Sequence, residues 1–501
     1  MGGNIPVTLP QTTTSLDANG ITTTYFPAGS VTTASNPFFQ SLGTNGRTCF
    51  TCHQPQNNWS ITPVSIAATY LLTAGKDPLF APVDGADCPT TGTANAKAGL
   101  QFIGARTELF TRGDFRISLP VPANPQWASV TVSTDPTSCE RNPTYGLPAG
   151  MLSFYRRPLP ATNVIYTTPG LLTGAPNIMW DTREASLTSQ FIDATLVHAQ
   201  ASAAPTATVA GEGVSFESGS FTAQTADFIG GDLTGGDSSG ATGGPVNLYK
   251  YSNSIFYPGS PFAVFNGGVC SVPMLPCPGS LSPSTTIPGD FNGTGLFTSL
   301  ANPQTGIPFV TARRESIARG EAIFNTRTFN ITGVTGLNDV PGFGSPVVVG
   351  TCARCHNNYN VGNDAFDDPK HIGIADNSYV SSIQASANGS TTLPMAPDQP
   401  VFTFLCPVGS ITYFSNPVVV NGVTYDKYQT SDPGVGWITG QCADLGKFKV
   451  SSLRGVGARP PFFHGGQAAN MTAVVVFYNN RFSMGLSSQD IQDLVNYLNA
   501  L

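Results

Sequence analysis

Cys49-Phe50-Thr51-Cys52-His53 decides how this chain is read, and Cys352-Ala353-Arg354-Cys355-His356 repeats its pattern. Two cysteines separated by two residues and followed at once by histidine form the attachment signature of a c-type haem. The chemistry sets the spacing. Two thiols add across the two vinyl groups of one porphyrin, and the next residue places an imidazole beneath the iron. One such pentapeptide alone would also suit a disulfide or a zinc site. Two of them, both ending in histidine, point to two covalent haems. The expected anchors are Cys49, Cys52, Cys352 and Cys355, and the expected iron ligands are His53 and His356.

Working outward, the 501 residues allow roughly two to four domains. Charged residues are only 11% of the chain, about half the usual share, and Thr, Ser, Gly, Asn and Pro take their place. That composition suits a loop-rich extracellular or periplasmic protein. A net charge of −7 without any Lys/Arg run argues against nucleic acid as a partner. No apolar run is long enough to span a bilayer. The first residues, Met1 to Pro6, lack the basic and apolar regions of a signal peptide. Because haem is attached to this motif outside the bacterial cytoplasm, a removed leader and a periplasmic or secreted location are expected. The other six cysteines, Cys88, Cys139, Cys270, Cys277, Cys406 and Cys442, suggest three disulfides in an oxidising compartment. Pairing of sequence neighbours is the favoured arrangement.

Regular structure is expected in few places. Residues 1–35 read as an extended N-terminal arm, and residues 36–43 as a short helix entering the first motif. Residues 61–164, broken by Pro, Thr and Gly, read as an insertion. A helix is expected near Arg183 to Phe191, and another from Arg313 to Phe324, where Ile317, Gly320 and Phe324 share a face and Thr311 is a candidate cap. Between them, residues 236–310 read as a Gly/Pro-rich linker or insertion. A hairpin or long loop is expected from Asn325 to Gly350. A last helix is expected around Ile491, Leu494, Val495 and Leu498.

Three histidines remain besides the two proximal ones: His198, His371 and His464. The segment Met179-Trp180-Asp181-Thr182-Arg183…Leu187…Gln190 resembles a corresponding segment of the bacterial di-haem cytochrome c peroxidase and MauG superfamily, to which di-haem rubber oxygenases are related. Leu453-Arg454-Gly455, Pro461-Phe462-Phe463-His464-Gly465-Gly466, Tyr478 and the final helix are similar to its closing segment. The resemblance leaves 61–164 and 236–310 uncovered.

The resemblance implies a mainly α fold with extensive loops and minor β. Two cytochrome c-like domains, 36–235 and 311–501, would each hold one haem. It implies peroxide reduction at the first haem, with electrons passed through the second. Two alternatives stand beside that reading: di-haem oxygenase or MauG-like oxidation of an organic or protein substrate, and a non-catalytic electron-transfer cytochrome. The implied partners are hydrogen peroxide or dioxygen and a small electron-donor protein such as a cytochrome or cupredoxin, with calcium as a further ion. Trp180 would relay electrons between the haems, since an indole combines a large apolar face with a polar N–H. Gln190 would line the distal pocket. The family's catalytic glutamate falls near Gln200, which is no acid. His198, two residues away, is the candidate proton carrier in its place. For the second iron's sixth ligand, Tyr478 stands slightly ahead of His464. Met484 and Met395 are more remote candidates. Arg454 and Arg459 would hold propionates, because a planar guanidinium matches a carboxylate. His371 reads as a surface residue near the second haem.

Overall fold

The computed structural model describes residues 7–89, 92–137, 139–140, 150–167, 178–252, 295–302, 306–340, 344–356, 361–364, 369–376, 399–413 and 415–501, with a strand pair at 264–265 and 268–269. Helix and strand, at 36% and 21%, make it a mixed fold, in contrast to the mainly helical one expected. The difference arises in the Thr-, Val- and aromatic-rich stretches. They lack a helical period, and their β-branched side chains fit a pleated, half-buried surface.

The N-terminal arm shows this directly. Thr12–Leu16 and Gly20–Tyr25 form an antiparallel pair. Gly20–Tyr25 then pairs with Phe221–Asp227, two hundred residues away, and Gly231–Asp232 completes a four-stranded sheet. Threonines lock the long-range register: Thr24 Oγ1 lies 3.0 Å from Thr222 Oγ1, and Thr23 Oγ1 lies 2.7 Å from Thr225 Oγ1. A second four-stranded sheet joins Ser129–Thr134 to Val401–Pro407, Val423–Thr430 and Asn416–Val420. It covers an aromatic core of Trp127, Phe154, Phe402, Phe404, Tyr428 and Trp437. Residues of the expected insertion are therefore built into the C-terminal half.

Helices supply the other scaffold. Pro308–Thr326 crosses Ser488–Asn499 so closely that a Cβ on Gly320 would meet Asp493 O at 2.0 Å. Asp493 accepts from Ser316 Oγ at 2.5 Å and from Arg319 Nε at 2.8 Å, fixing the crossing. The first helix starts five residues earlier than expected, because Pro308 takes the first helical position and places Thr311 inside. Phe329–Thr332 and Val347–Gly350 form the hairpin leading to the second motif. The helix at the Trp180 segment runs from Leu187 to Val197, with Ser186 as its cap. The stretch before the first motif is a single 3₁₀ turn, Pro37–Phe39. Cys88–Cys139 and Cys406–Cys442 are disulfides. The expected Cys270–Cys277 pair and Met395 lie outside the described residues. No helix among the described residues is long and apolar enough to cross a membrane.

Candidate functional site: two cavities and a shared wall

Both pentapeptides fold alike. Each begins as a 3₁₀ turn, Cys49–Thr51 or Cys352–Arg354, with the second cysteine closing the turn in the helical region. Each histidine then donates its Nδ1–H to the carbonyl six residues on: His53 to Trp59 at 2.8 Å, and His356 to Gly362 at 2.6 Å. In the first loop Asn58 and Trp59 both adopt positive φ, which turns the Trp59 carbonyl back towards His53. The outcome is the same at both sites. The ring is oriented, its tautomer is set, and Nε2 remains for a metal. Burial lowers the His53 imidazole to about 4, so it is neutral, as a ligand must be.

Each motif opens on its own cavity. The first is lined by Cys49, Cys52 and His53 together with Gln190, His198 and Glu217. The second is lined by Cys352, Cys355 and His356 with His464, Tyr478 and Arg459. Arg157, Pro158, Trp180, Lys449 and Ser451 line both, so the two cavities share a wall. All four motif cysteines are free thiols. Burial raises the Cys52 thiol to about 12 and the Cys355 thiol to about 11, so neither is a thiolate at neutral pH.

Trp180 stands in the shared wall at the tip of a tight turn. Met179 and Thr182 flank it at positive φ, and an isolated bridge joins Ile178 to Glu184. Its indole donates to Arg157 O at 2.8 Å, and its carbonyl accepts from Lys449 N at 2.9 Å. His464 meets Trp180 edge-on, with ring centroids 6.3 Å apart, and stacks on Phe448 at 3.8 Å. Beneath the turn, Asp181 is fully buried and takes Arg156 Nη1 at 2.5 Å. Arg156 also grips Asp432 through Nε and Nη2, at 2.6 and 2.8 Å. One guanidinium thus ties the Trp180 turn to the C-terminal half.

The first cavity carries a polar relay. His198 Nδ1 lies 2.6 Å from Asp84 Oδ2, and Asp84 Oδ1 is paired with Arg47. Burial alone would raise the Asp84 carboxyl, but Arg47 and His198 together hold it below the ordinary aspartate range. Asp84 therefore stays anionic and orients His198, whose side chain keeps 32% exposure. His198 so connects solvent with the cavity. Gln200, at the position aligned with the family's glutamate, is exposed on a left-handed residue and lies outside the lining.

The second cavity is more aromatic. Burial, and then the two nearby thiols, push the Tyr478 phenol above the usual tyrosine value. His464 is buried and neutral, lowered to about 4 by burial, and its Nε2 is engaged by Gln467 Nε2 at 3.3 Å. Met484 also lines this cavity. His371, expected at the surface, is 1% exposed and 3.2 Å from the Tyr428 hydroxyl.

Do these residues fit a haem? The donor set does: two thiols, one preoriented neutral imidazole and an apolar lining at each site. The charges of the shared wall do too. Arg459 is buried, its Nε has no hydrogen-bond partner, and burial with repulsion from Arg157 lowers it to about 9. Burial lowers Arg157 to about 10. Two buried cations side by side call for anions between them, and propionate carboxylates answer that demand. Arg454, the other expected propionate holder, is buried outside both linings, where its carbonyl accepts from Asn58 Nδ2 at 3.1 Å. Sequence reasoning missed Arg157, Lys449, Asp84 and Glu217. Asp84 and Arg157 lie in the stretch read as an insertion, and the Arg156-Arg157 doublet was the one available signal. No cluster of three or more His, Cys, Asp or Glu residues suited to a metal occurs among the described residues.

Cytochrome-c peroxidase IdrP1 of Denitromonas iodatirespirans is 34% identical to this chain over 93 residues. Over that stretch the chain is similar to a cytochrome-c peroxidase. The match covers 16% of this chain and a quarter of the relative's length. No family model and no solved structure matches the chain.

Proposed function

We propose that this chain is an extracytoplasmic di-haem c-type cytochrome of the peroxidase and MauG kind. In this reading it reduces hydrogen peroxide in the first cavity with electrons passed through the second. The observation that carries this reading is a pair of cavities, each with a preoriented His behind two thiols, meeting at Trp180, with the His198–Asp84 relay in the first alone. The disulfides and the cytochrome-c peroxidase relative support the compartment and the chemistry.

Cys49 and Cys52 would anchor one haem and Cys352 and Cys355 the other, each supplying redox-active iron when bound. His53 and His356 would present Nε2 beneath it. Arg157, in the shared wall, and Arg459, in the second cavity, would neutralise propionates. Asp84 holds the Nδ1 proton of His198, so His198 Nε2 is the atom free to take a proton from peroxide and return it to the leaving oxygen. Gln190 offers an amide to orient the peroxide. Phe191 and Leu187, on the same helix, keep that side of the cavity apolar and limit bulk water. Tyr478 would be the further iron ligand at the second site, ahead of His464, whose Nε2 Gln467 engages at 3.3 Å.

The test combines denaturing mass spectrometry with ferric EPR during a peroxide titration. Two haem additions and one high-spin signal that peroxide converts are expected. A single addition refutes the architecture. Two low-spin signals in every redox state would make the chain an electron carrier, and a high-spin site that reacts with dioxygen and an organic substrate but not with peroxide would make it an oxygenase.

A further inference from the structure

The first cavity holds a second carboxyl besides Asp84, and its surroundings are different. Glu217 lies in the last turn of the helix Ala207–Ser218, is 7% exposed and lines the cavity. Its Oε2 is buried with no hydrogen-bond partner among the described residues. Phe216, beside it in sequence, packs into the cluster of Phe38, Phe39 and Trp59 that also holds Cys49, and the Glu217 charge is felt at the Cys49 sulfur.

Among the described residues no cation pairs with this carboxyl. The 3₁₀ turn Pro37–Phe39 that packs on its helix carries no ionisable side chain. From Val164–Thr167 comes Tyr166, whose hydroxyl donates to Leu248 O. From Leu187–Val197 comes Asp193, which is half-buried and turned towards Arg183 at 3.9 Å. From Cys49–Thr51 comes Cys49 itself. Asp84 keeps its charge because Arg47 and His198 neutralise it. Glu217 has no such partner among the described residues, although Arg47, Arg157, Arg183 and Lys449 line the same cavity, and burial raises its carboxyl to about 8.

A buried, unpaired carboxyl is sensitive to any change of charge in its cavity, because little solvent screens it. We propose that Glu217 is the proton acceptor coupled to the electron that arrives at the first haem. The inference rests on the di-haem reading above. At a pH where Glu217 is still a carboxylate before reduction, a one-electron donor that takes the ferric iron to ferrous brings one proton from solvent to Glu217, which becomes a carboxylic acid. The cavity then gains one electron and one proton, and its net charge is unchanged. Peroxide reduction to water consumes protons and electrons in equal number, so a proton stored with the first electron is one that need not enter later.

The experiment is a redox titration of the full-length holoprotein, wild type and Glu217→Gln, across roughly pH 6 to 10. One proton per electron changes the reduction equilibrium tenfold per pH unit, about 59 mV for a one-electron couple. The wild-type first haem is expected to fall in potential towards that slope over part of the range, and Glu217→Gln to lose this segment. The amide keeps the size of the side chain and removes only its titration. Redox-difference infrared spectra supply a second readout: a protonated carboxyl band that grows on reduction in the wild type and is missing in the variant. A wild-type potential that ignores pH, or a uniform offset in Glu217→Gln with its slope unchanged, overturns the inference. Absence of haem from the Cys49–Cys52 peptide overturns the di-haem reading instead.

Discussion

Replacing Arg156 with leucine should be among the most damaging single changes in the wall between the cavities. Its guanidinium is 3% exposed and lies between Asp181, which is fully buried, and Asp432, which is 2% exposed. Removing it strands two carboxylates in an apolar interior. Asp181 retains Arg183 Nη1 at 3.0 Å, whereas among the described residues the Asp432 carboxylate keeps the backbone N–H of Gly434 at 2.9 Å. Breaking a buried pair in this way costs about 3–5 kcal/mol, much of it from the uncompensated charge. Arg156→Leu combined with Asp432→Asn should therefore recover roughly 2 kcal/mol, because the neutral amide no longer needs a cation.

Urea unfolding at neutral pH, followed by circular dichroism, reads both values from the midpoint at constant slope. The pH dependence has a defined sign. Burial would raise Asp181, but Arg156 and Arg183 depress its carboxyl, so the wild-type contribution is present above the ordinary aspartate range and lost as pH falls through the folded value. The deficit of Arg156→Leu should accordingly shrink as pH falls through and below the ordinary aspartate range, as the Asp181 carboxylate takes up its proton. A loss under about 1 kcal/mol, or a double variant no more stable than the single one, would show that the network does not hold the wall as argued.

Asp84→Asn and His198→Gln should each lower peroxide turnover by roughly 10²–10⁴, with both haems retained and the pH profile altered, since a positioned acid–base group typically supplies that factor; unchanged turnover in either would remove the relay from the reaction. Tyr478→Phe should open the sixth position of the second iron and His464→Ala should not, and optical spectra giving the reverse result would transfer the ligand to His464. Disulfide loss at Cys88–Cys139 or Cys406–Cys442, which close loops of 51 and 36 residues, should cost about 4 kcal/mol each by loop-closure entropy; serine variants with an unfolding midpoint like that of the wild type would contradict this.

Local covalent chemistry is what a sequence states most directly. The spacing of Cys49, Cys52 and His53, and of its repeat, comes from the geometry of a porphyrin edge and needs no tertiary knowledge. Ser488–Asn499, whose apolar period is visible, was legible for the same reason, whereas the helix expected from Arg183 to Phe191 runs instead from Leu187 to Val197. Long-range strand pairings were not, because Gly20–Tyr25 finds Phe221–Asp227 only across the folded molecule, and nothing local in either segment specifies that register.

By itself, then, the sequence determined which residues can bind, in two places, and which family pattern they resemble. Tertiary structure alone decided what surrounds them. It brought Asp84 and Arg157 from an apparent insertion into the cavities, put Glu217 against the first site without a cation, sent Gln200 into solvent and kept Arg454 out of both linings. The physical reason is common to these cases. Whether a carboxyl or guanidinium is an inert surface charge or a tuned group depends on burial and on the charges facing it, and both come from chain segments far apart in sequence.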